Sequence, residues 1–360
     1  MALINAMNNA FSAMDGFKQG FDVVSNNISN VNSIGFKSSK MNYLSSFSTI
    51  LQRSAPANEE VEYGSNTVAM QVGNGMQVDG TVTSFSQGAL ERTEQETDLA
   101  IVGSGFFKVL DTTSNTPYLT RAGNFRKDSR NYLVTYQQGY RLQGTQMDST
   151  HMPAFRVDYD AEKGITFKNI EVNQPKNQGT EDDLRIQFNY AEGDIDATYN
   201  DEDNYNSNEK NITGGKLYLS QSAQTAITAN TINHADIIAK APIINSFSFS
   251  TTGEIHYIFN DQNSTDVIGG KLILACVDDA QALLYEGDGL YTGMEAAGTS
   301  YTSFGITNTY LRSKTLEMAN VDITKQFSDM ITLQRGFQAS ARVITISDEI
   351  LNEVVNLKRS

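Results

Sequence analysis

The sequence predicts an α+β chain that is mainly β, with N- and C-terminal helices pairing as a coiled coil and two nested antiparallel β domains between them. Three observations carry this. Leu3, Met7, Ala10, Met14, Phe17, Phe21, Val24, Ile28 and Val31 form an apolar stripe of alternating four- and three-residue steps. Leu316, Ile323, Phe327, Met330, Phe337, Ala341, Ile344, Leu351 and Val355 continue the same rule at the other end, interrupted only by Asn320, Gln334 and Asp348. Between them lie short apolar runs separated by Gly, Asn, Ser and Thr. A seam kept over four heptads marks helices packed along their length, and short runs between turn residues mark strands.

The N-terminal helix is assigned to residues 1–35, its regular part running from about 3 to 31, roughly 43 Å at 1.5 Å per residue. Gly16 and Gly20 lie inside it, each costing about 1 kcal/mol relative to Ala in an isolated helix. The helix therefore needs packing partners. Asn and Ser from Asn26 onward compete for backbone hydrogen bonds, and Gly35 accepts a positive φ, so the helix fades into a turn.

Residues 36–75 are polar without lasting period and read as a linker arm. Residues 76–145 together with 285–315 read as the first β domain. Its signals include Leu99 to Val102, Gly103-Ser104-Gly105, Phe106 to Leu110 and Tyr132-Leu133-Val134. Residues 146–284 read as an inserted acidic outer β domain with strands at 186–188, 216–220, 247–249, 255–259 and 271–277. Thr251-Thr252-Gly253-Glu254 is its hairpin signal. The C-terminal helix occupies 316–360, with Asp322 as N-cap and Gln326 four residues on.

Composition narrows the function classes. The net charge is −15, and residues 146–284 hold 21 acids against 9 bases. Such a surface argues against nucleic acid and anionic membrane. Seven acids and no base lie within 192–209, but the EF-hand scaffold is missing, so no metal site is assigned. One cysteine, Cys276, permits no disulfide framework. No run reaches the roughly 20 apolar residues of a membrane span, and no cleavable signal peptide is visible. His151, His234 and His256 lack metal-ligand spacing, and Gly103-Ser104-Gly105 is no nucleophile elbow. No catalytic residue or cofactor is expected.

Three stretches resemble the flagellar axial proteins of bacteria, the rod, hook and hook-associated family. Asn26 to Lys37 reads NNISNVNSIGFK, with Asn26, Asn27, Asn30, Gly35, Phe36 and Lys37 matching that family's motif. Asp98 to Gly144 carries Gly103, Gly105, Phe106, Phe107, Arg121 and Gly123 in the family's strand and Thr-Arg-x-Gly patterns. Leu316 to Phe337 carries Asn320, Val321, Asp322, Gln334 and Arg335. Departures are Ser29 and Ala319, and Arg130-Asn131 where Gly is usual.

The resemblance implies a homopolymer whose terminal helices form an inner tube, their seams unsatisfied in a solitary molecule. It implies export through the flagellar type III apparatus without a cleaved signal, and residence in the hook or basal body outside the cell. Implied neighbours are the distal rod protein, the hook cap and the hook–filament junction proteins, with no nucleic acid and no membrane insertion. The insert at 146–284 points to the hook type, with the distal rod type as alternative and a secreted β-rich adhesin as the rival outside the family.

Overall fold

The computed structural model describes residues 2–54, 68–146, 154–170, 181–184, 195–196, 216–260, 266–304 and 308–357. In chain order the first elements are α1 (Ala2–Ser29), β1 (Ser39–Ser45), β2 (Ser48–Gln52), β3 (Met70–Gly73) and β4 (Met76–Thr83). There follow β5 (Leu90–Arg92), β6 (Leu99–Val102), β7 (Phe106–Asp111), β8 (Thr116–Thr120), β9 (Phe125–Lys127), β10 (Leu133–Thr135) and β11 (Arg141–Gln146). Next come β12 (Ala154–Asp160), β13 (Gly164–Ile170), β14 (Glu181–Asp183), β15 (Ile195–Asp196), β16 (Leu217–Leu219), α2 (Gln221–Thr228) and α3 (His234–Lys240). The chain returns through β17 (Ile244–Phe249), β18 (Glu254–Phe259), β19 (Asp266–Val277), β20 (Leu284–Gly287) and β21 (Leu290–Thr292). It closes with β22 (Thr299–Ser303), β23 (Tyr310–Ser313), β24 (Thr315–Glu317) and α4 (Ile323–Leu357). The fold is α+β and mainly β, with a long helix near each end.

Two compact units divide the chain: 1–88 with 318–360, and 89–317. In the first unit α1 and α4 pack along each other. Leu333 Cδ2 approaches Gly20, Gln326 bonds Asn27, and Gly336 faces the Phe17 ring. Each of these pairs sums to the same number, so the helices run antiparallel in one unbroken register. The segment expected to be a linker arm instead forms ladders. β1 pairs antiparallel with β4, Ser39 opposite Thr83 and Ser45 opposite Met76. Then β2 pairs with β3, Ser48 opposite Gly73. The partners are 18 to 44 residues apart, and β2 and β3 are exposed throughout, so no local alternation marked those two. Residues 76–83 thus belong with the terminal helices, not with the β body.

In the second unit one sheet runs in the order β17-β18-β19-β11-β7-β8-β21-β20. A boundary expected at 146 and 284 does not coincide with this sheet. β19, twelve residues long, pairs with β18 at one end, β11 in the middle, and β22 and β7 at the other. The strands β17 to β19 therefore extend the sheet that bears the Gly103 to Gly123 motifs. A second sheet, β13-β12-β16-β15, is mixed, since β16 runs parallel to both β12 and β15. Phe155 on β12 meets Phe259 on β18 edge to face at 5.8 Å, so the two sheets share one core. Such ring contacts add about 0.5–1.5 kcal/mol beyond their area.

The helices α2 and α3 were not expected. Ser220 caps α2 by accepting from Ala223 N at 3.4 Å, and Asp236 closes a capping box on Asn233. The strand expected at 186–188 lies outside the described residues, as does the acidic stretch 192–209 apart from Ile195 and Asp196. The hairpin expected around Gly253 is present between β17 and β18.

Candidate polymerisation surface

The helix pair buries one seam and, among the described residues, leaves further apolar side chains exposed. On α4, Gln326, Met330, Leu333, Gly336, Ser340, Ile344, Ser347 and Leu351 are buried or half-buried, always three or four residues apart. This inner seam shares Met330, Ile344 and Leu351 with the stripe read from sequence, but its other line is one residue earlier. Gln334 and Asp348, which seemed to interrupt the seam, are simply outside it. Signal for the true line was weak because three of its members are Gly or Ser. Those small residues let the helices close: a Cβ on Gly336 would lie 2.7 Å from Phe17 Cζ.

The remaining members of the expected C-terminal seam are placed elsewhere. Leu316 is in strand β24 rather than in a helix, because it pairs with Glu91. Ile323, Phe327, Phe337 and Val355 are exposed, and Ala341 is half-buried. Together with Ile331, Val343, Ile346, Ile350, Val354 and Leu357, the exposed members leave apolar side chains open along both flanks of the buried seam; Phe327 is 49% exposed and Ile346 54%. The antiparallel register sets Ala2 level with Leu351. Val354, Val355 and Leu357 therefore overhang the described start of α1, and all three are exposed.

On α1, Ala10 and Val24 are buried, Met7, Met14, Phe17 and Ile28 half-buried, and Phe21 exposed. Leu3 lies in the helix backbone, and Val31 falls beyond its end, in the turn after Ser29. Gly16 and Gly20 are contact points rather than mere penalties. The Tyr43 hydroxyl sits where a Cβ on Gly20 would be, and the Tyr43 hydroxyl also donates to Gly16 O at 3.4 Å. Burial raises the Tyr43 pKa. Replacing Gly20 by Val is expected to cost about 1–3 kcal/mol as overpacking. The readout is a lower melting temperature for the first unit with unchanged melting of the second.

The motif residues around Asn27 and Asn320 bind together four passages of the chain. Asn27 is 1% exposed; its Nδ2 donates to Ser39 O at 2.7 Å and Gln326 Oε1 at 3.1 Å, and its Oδ1 accepts from Ser39 N at 3.0 Å. Asn320 Oδ1 accepts from Ser38 N at 2.7 Å, while its Nδ2 donates to Ser84 O and Ser86 O. Lys37 Nζ donates to Ser86 O at 2.8 Å, and Asn320 N to Phe36 O at 3.3 Å. The end of α1, the start of β1, the end of β4 and the approach to α4 are thereby fixed to each other. An amide serves because it donates and accepts at once.

Gly35 turns at φ 68°, and Asn30 Nδ2 donates back to Asn26 O at 2.9 Å. Asp322 caps α4, accepting from Thr324 N at 2.9 Å and Lys325 N at 3.2 Å, as its position led us to expect. Val321 is half-buried. Gln334 and Arg335 stand exposed on α4.

In the second unit the hub is Arg121. Its Nη1 pairs with Glu317 Oε2 at 3.2 Å, with side chains 4% and 0% exposed. Its Nη2 donates to Gly103 O at 2.7 Å, and its guanidinium lies 5.4 Å from the Phe106 ring centre. Nε has no acceptor among the described residues. Desolvation pushes the Arg121 pKa down, and Glu317 opposes that shift. Gly105 precedes the buried pair Phe106-Phe107, and Gly123 O accepts from Leu99 N at 3.0 Å. Glu317 was not singled out from the sequence; only its place beside the Asn-Val-Asp motif hinted at it.

What this arrangement can do is associate. Among the described residues no group of three or more His, Cys, Asp or Glu could hold a metal, and no helix is long and apolar enough to cross a membrane. Three family models match the chain. Residues 7–37 match "Flagella basal body rod protein", 100–187 match "Flagellar hook protein FlgE/F/G D1 domain", and 312–357 match "Flagellar basal body rod FlgEFG protein C-terminal".

The flagellar basal-body rod protein FlgG of Bacillus subtilis is 27% identical over 361 residues, covering 99% of this chain and 100% of that one. The flagellar hook protein FlgE of Borreliella burgdorferi is 28% identical over 449 residues, with 99% and 100% covered. That of Escherichia coli is 24% identical over 422 residues, with 98% and 100% covered. Among solved structures, flagellar hook protein FlgE2 of Helicobacter pylori aligns with 63% of this chain and 100% of that one, at 12% identity and a TM-score of 0.34.

The matches fall on the N-terminal helix, the β body and the C-terminal helix in that order, and relatives of one kind span the chain, which belongs to the bacterial flagellar hook and rod proteins, structural subunits of the flagellum.

Proposed function

We propose that this chain polymerises into the flagellar hook, the flexible tube between rod and filament. The supporting observation is the run of exposed apolar residues along α4, which continues into the overhang at Val354, Val355 and Leu357. None of the described residues covers these side chains, and the natural occupant is the same helix pair of further copies. A head-to-tail contact that does not close generates a helical tube. In a solitary chain the helix pair exposes much of its apolar surface and is marginal; neighbours supply the missing burial. The terminal helices would then form the inner wall of the tube. Weak polar contacts outside permit many near-equal arrangements, which is what bending requires.

The reading includes passage through the flagellar type III export apparatus and contacts with the distal rod protein, hook cap and hook–filament junction proteins. Its support for hook over rod is the additional body built from β12, β13, β15, β16, α2 and α3. A distal rod subunit is the second reading, favoured by the match to all of the Bacillus subtilis rod protein. Electron microscopy of tubes grown from concentrated protein separates them. Curved, supercoiled tubes are expected; uniformly straight, stiff tubes would mean rod.

A further inference from the structure

We infer that Asn74 is a site of spontaneous covalent modification, at which the chain converts itself to aspartate or isoaspartate with water as the only co-reactant. Asn74-Gly75 is the one Asn–Gly step in the sequence. It lies at the joint between the two ladders of the arm: β1 with β4 ends at Ser45 opposite Met76, and β2 with β3 begins at Ser48 opposite Gly73. Asn74 is exposed.

The fold requires glycine at 75. Its φ is +93°, and a Cβ there would collide with Ser12 Oγ and lie 3.3 Å from Asn9 Cα. The same lack of a side chain leaves its nitrogen open to the neighbouring amide. Gly75 O accepts from Ser46 N at 2.9 Å, whereas Gly75 N–H donates to no group among the described residues. The reactive nitrogen is thus not tied up. Among the described residues the Asn74 amide is held only by Thr49, whose Oγ1 is 3.2 Å from Nδ2 and 3.4 Å from Oδ1.

In the reaction, Gly75 N, having lost its proton, attacks Asn74 Cγ. The Cγ–Nδ2 bond breaks, and Nδ2 leaves as ammonia, leaving a five-membered succinimide. Water opens the ring at Cγ to give aspartate, or at the main-chain carbonyl carbon to give isoaspartate. Either product gains a carboxylate that is ionised at neutral pH. Isoaspartate also lengthens the backbone by one methylene at the joint, between Gly73 O, which accepts from Asn9 Nδ2 at 3.3 Å, and Gly75 O. The arm ladder formed by β2 and β3, all of whose residues are exposed, would then leave the joint at a different angle.

The test is incubation of the full chain in ¹⁸O-water at mildly alkaline and at acidic pH, followed by peptide mass mapping. We expect label at position 74, with isoaspartate and aspartate both present, faster at alkaline pH. Asn74→Gln should lose that signal, because its ring would have six members. Thr49→Val should raise the rate by freeing the amide. An unlabelled Asn74 in the full chain, under conditions that convert a peptide of residues 72–76, would overturn the inference. Tube formation plays no part in this readout, so the hook reading can fail without it.

Discussion

Ile346→Asp is expected to abolish tube formation at concentrations where the natural chain assembles. Ile346 is 54% exposed on α4, so the single chain loses little packing. In the proposed tube the same position would enter an apolar contact between copies. Burying the exposed half of an isoleucine there is worth about 0.8–1.6 kcal/mol, and bringing in a carboxylate adds a larger desolvation cost. At about 1.4 kcal/mol per tenfold, the critical concentration should rise about a hundredfold or more. Sedimentation of polymer against free subunit measures it. Assembly at the normal concentration would sink the assignment of this face, whereas failure of Ile346→Asp with success of Ile346→Leu would support it.

Arg121→Met should destabilise the second unit more than any other single change considered. Removing the guanidinium takes from Glu317, 0% exposed, the positive charge that balances it. Such breakage costs about 3–5 kcal/mol, a large part of the roughly 5–15 kcal/mol that holds a domain together. Gly103 O also loses its donor at 2.7 Å. The double variant Arg121→Met with Glu317→Leu should recover most of the loss, since apolar residues replace a buried pair at little cost. Denaturant unfolding followed by intrinsic tyrosine fluorescence provides the comparison. Equal midpoints for the single variant and the natural chain would show the pair to be dispensable.

The β body could be placed from its short apolar runs, but its divisions could not. A reader of residues 146–284 sees a block of acids and expects a separate domain. β19 contradicts this by pairing with strands from both sides of the supposed boundary, and strand partnership is a long-range property with no local mark. The arm was missed for a related reason. With β2 and β3 exposed on both faces, no inside–outside alternation was available. By contrast, the asparagine motifs were visible as residues long before their purpose was. Asn320 reaches Ser84 across 236 positions, and only the folded chain explains why an amide stands there.

By itself the sequence determined a helix at each end, a β middle, the capping role of Asp322, and the order of motifs that points to the flagellar axial family. Periodicity and capping are local, so they survive without coordinates. Tertiary structure decided which line of α4 faces α1, because close helix contact selects Gly336, Ser340 and Ser347 for smallness rather than hydrophobicity. It also decided that Arg121 and Glu317, separated by 196 positions, share one dry site. Contacts of that kind follow from the folding of distant segments onto each other, and no window along the chain contains both partners.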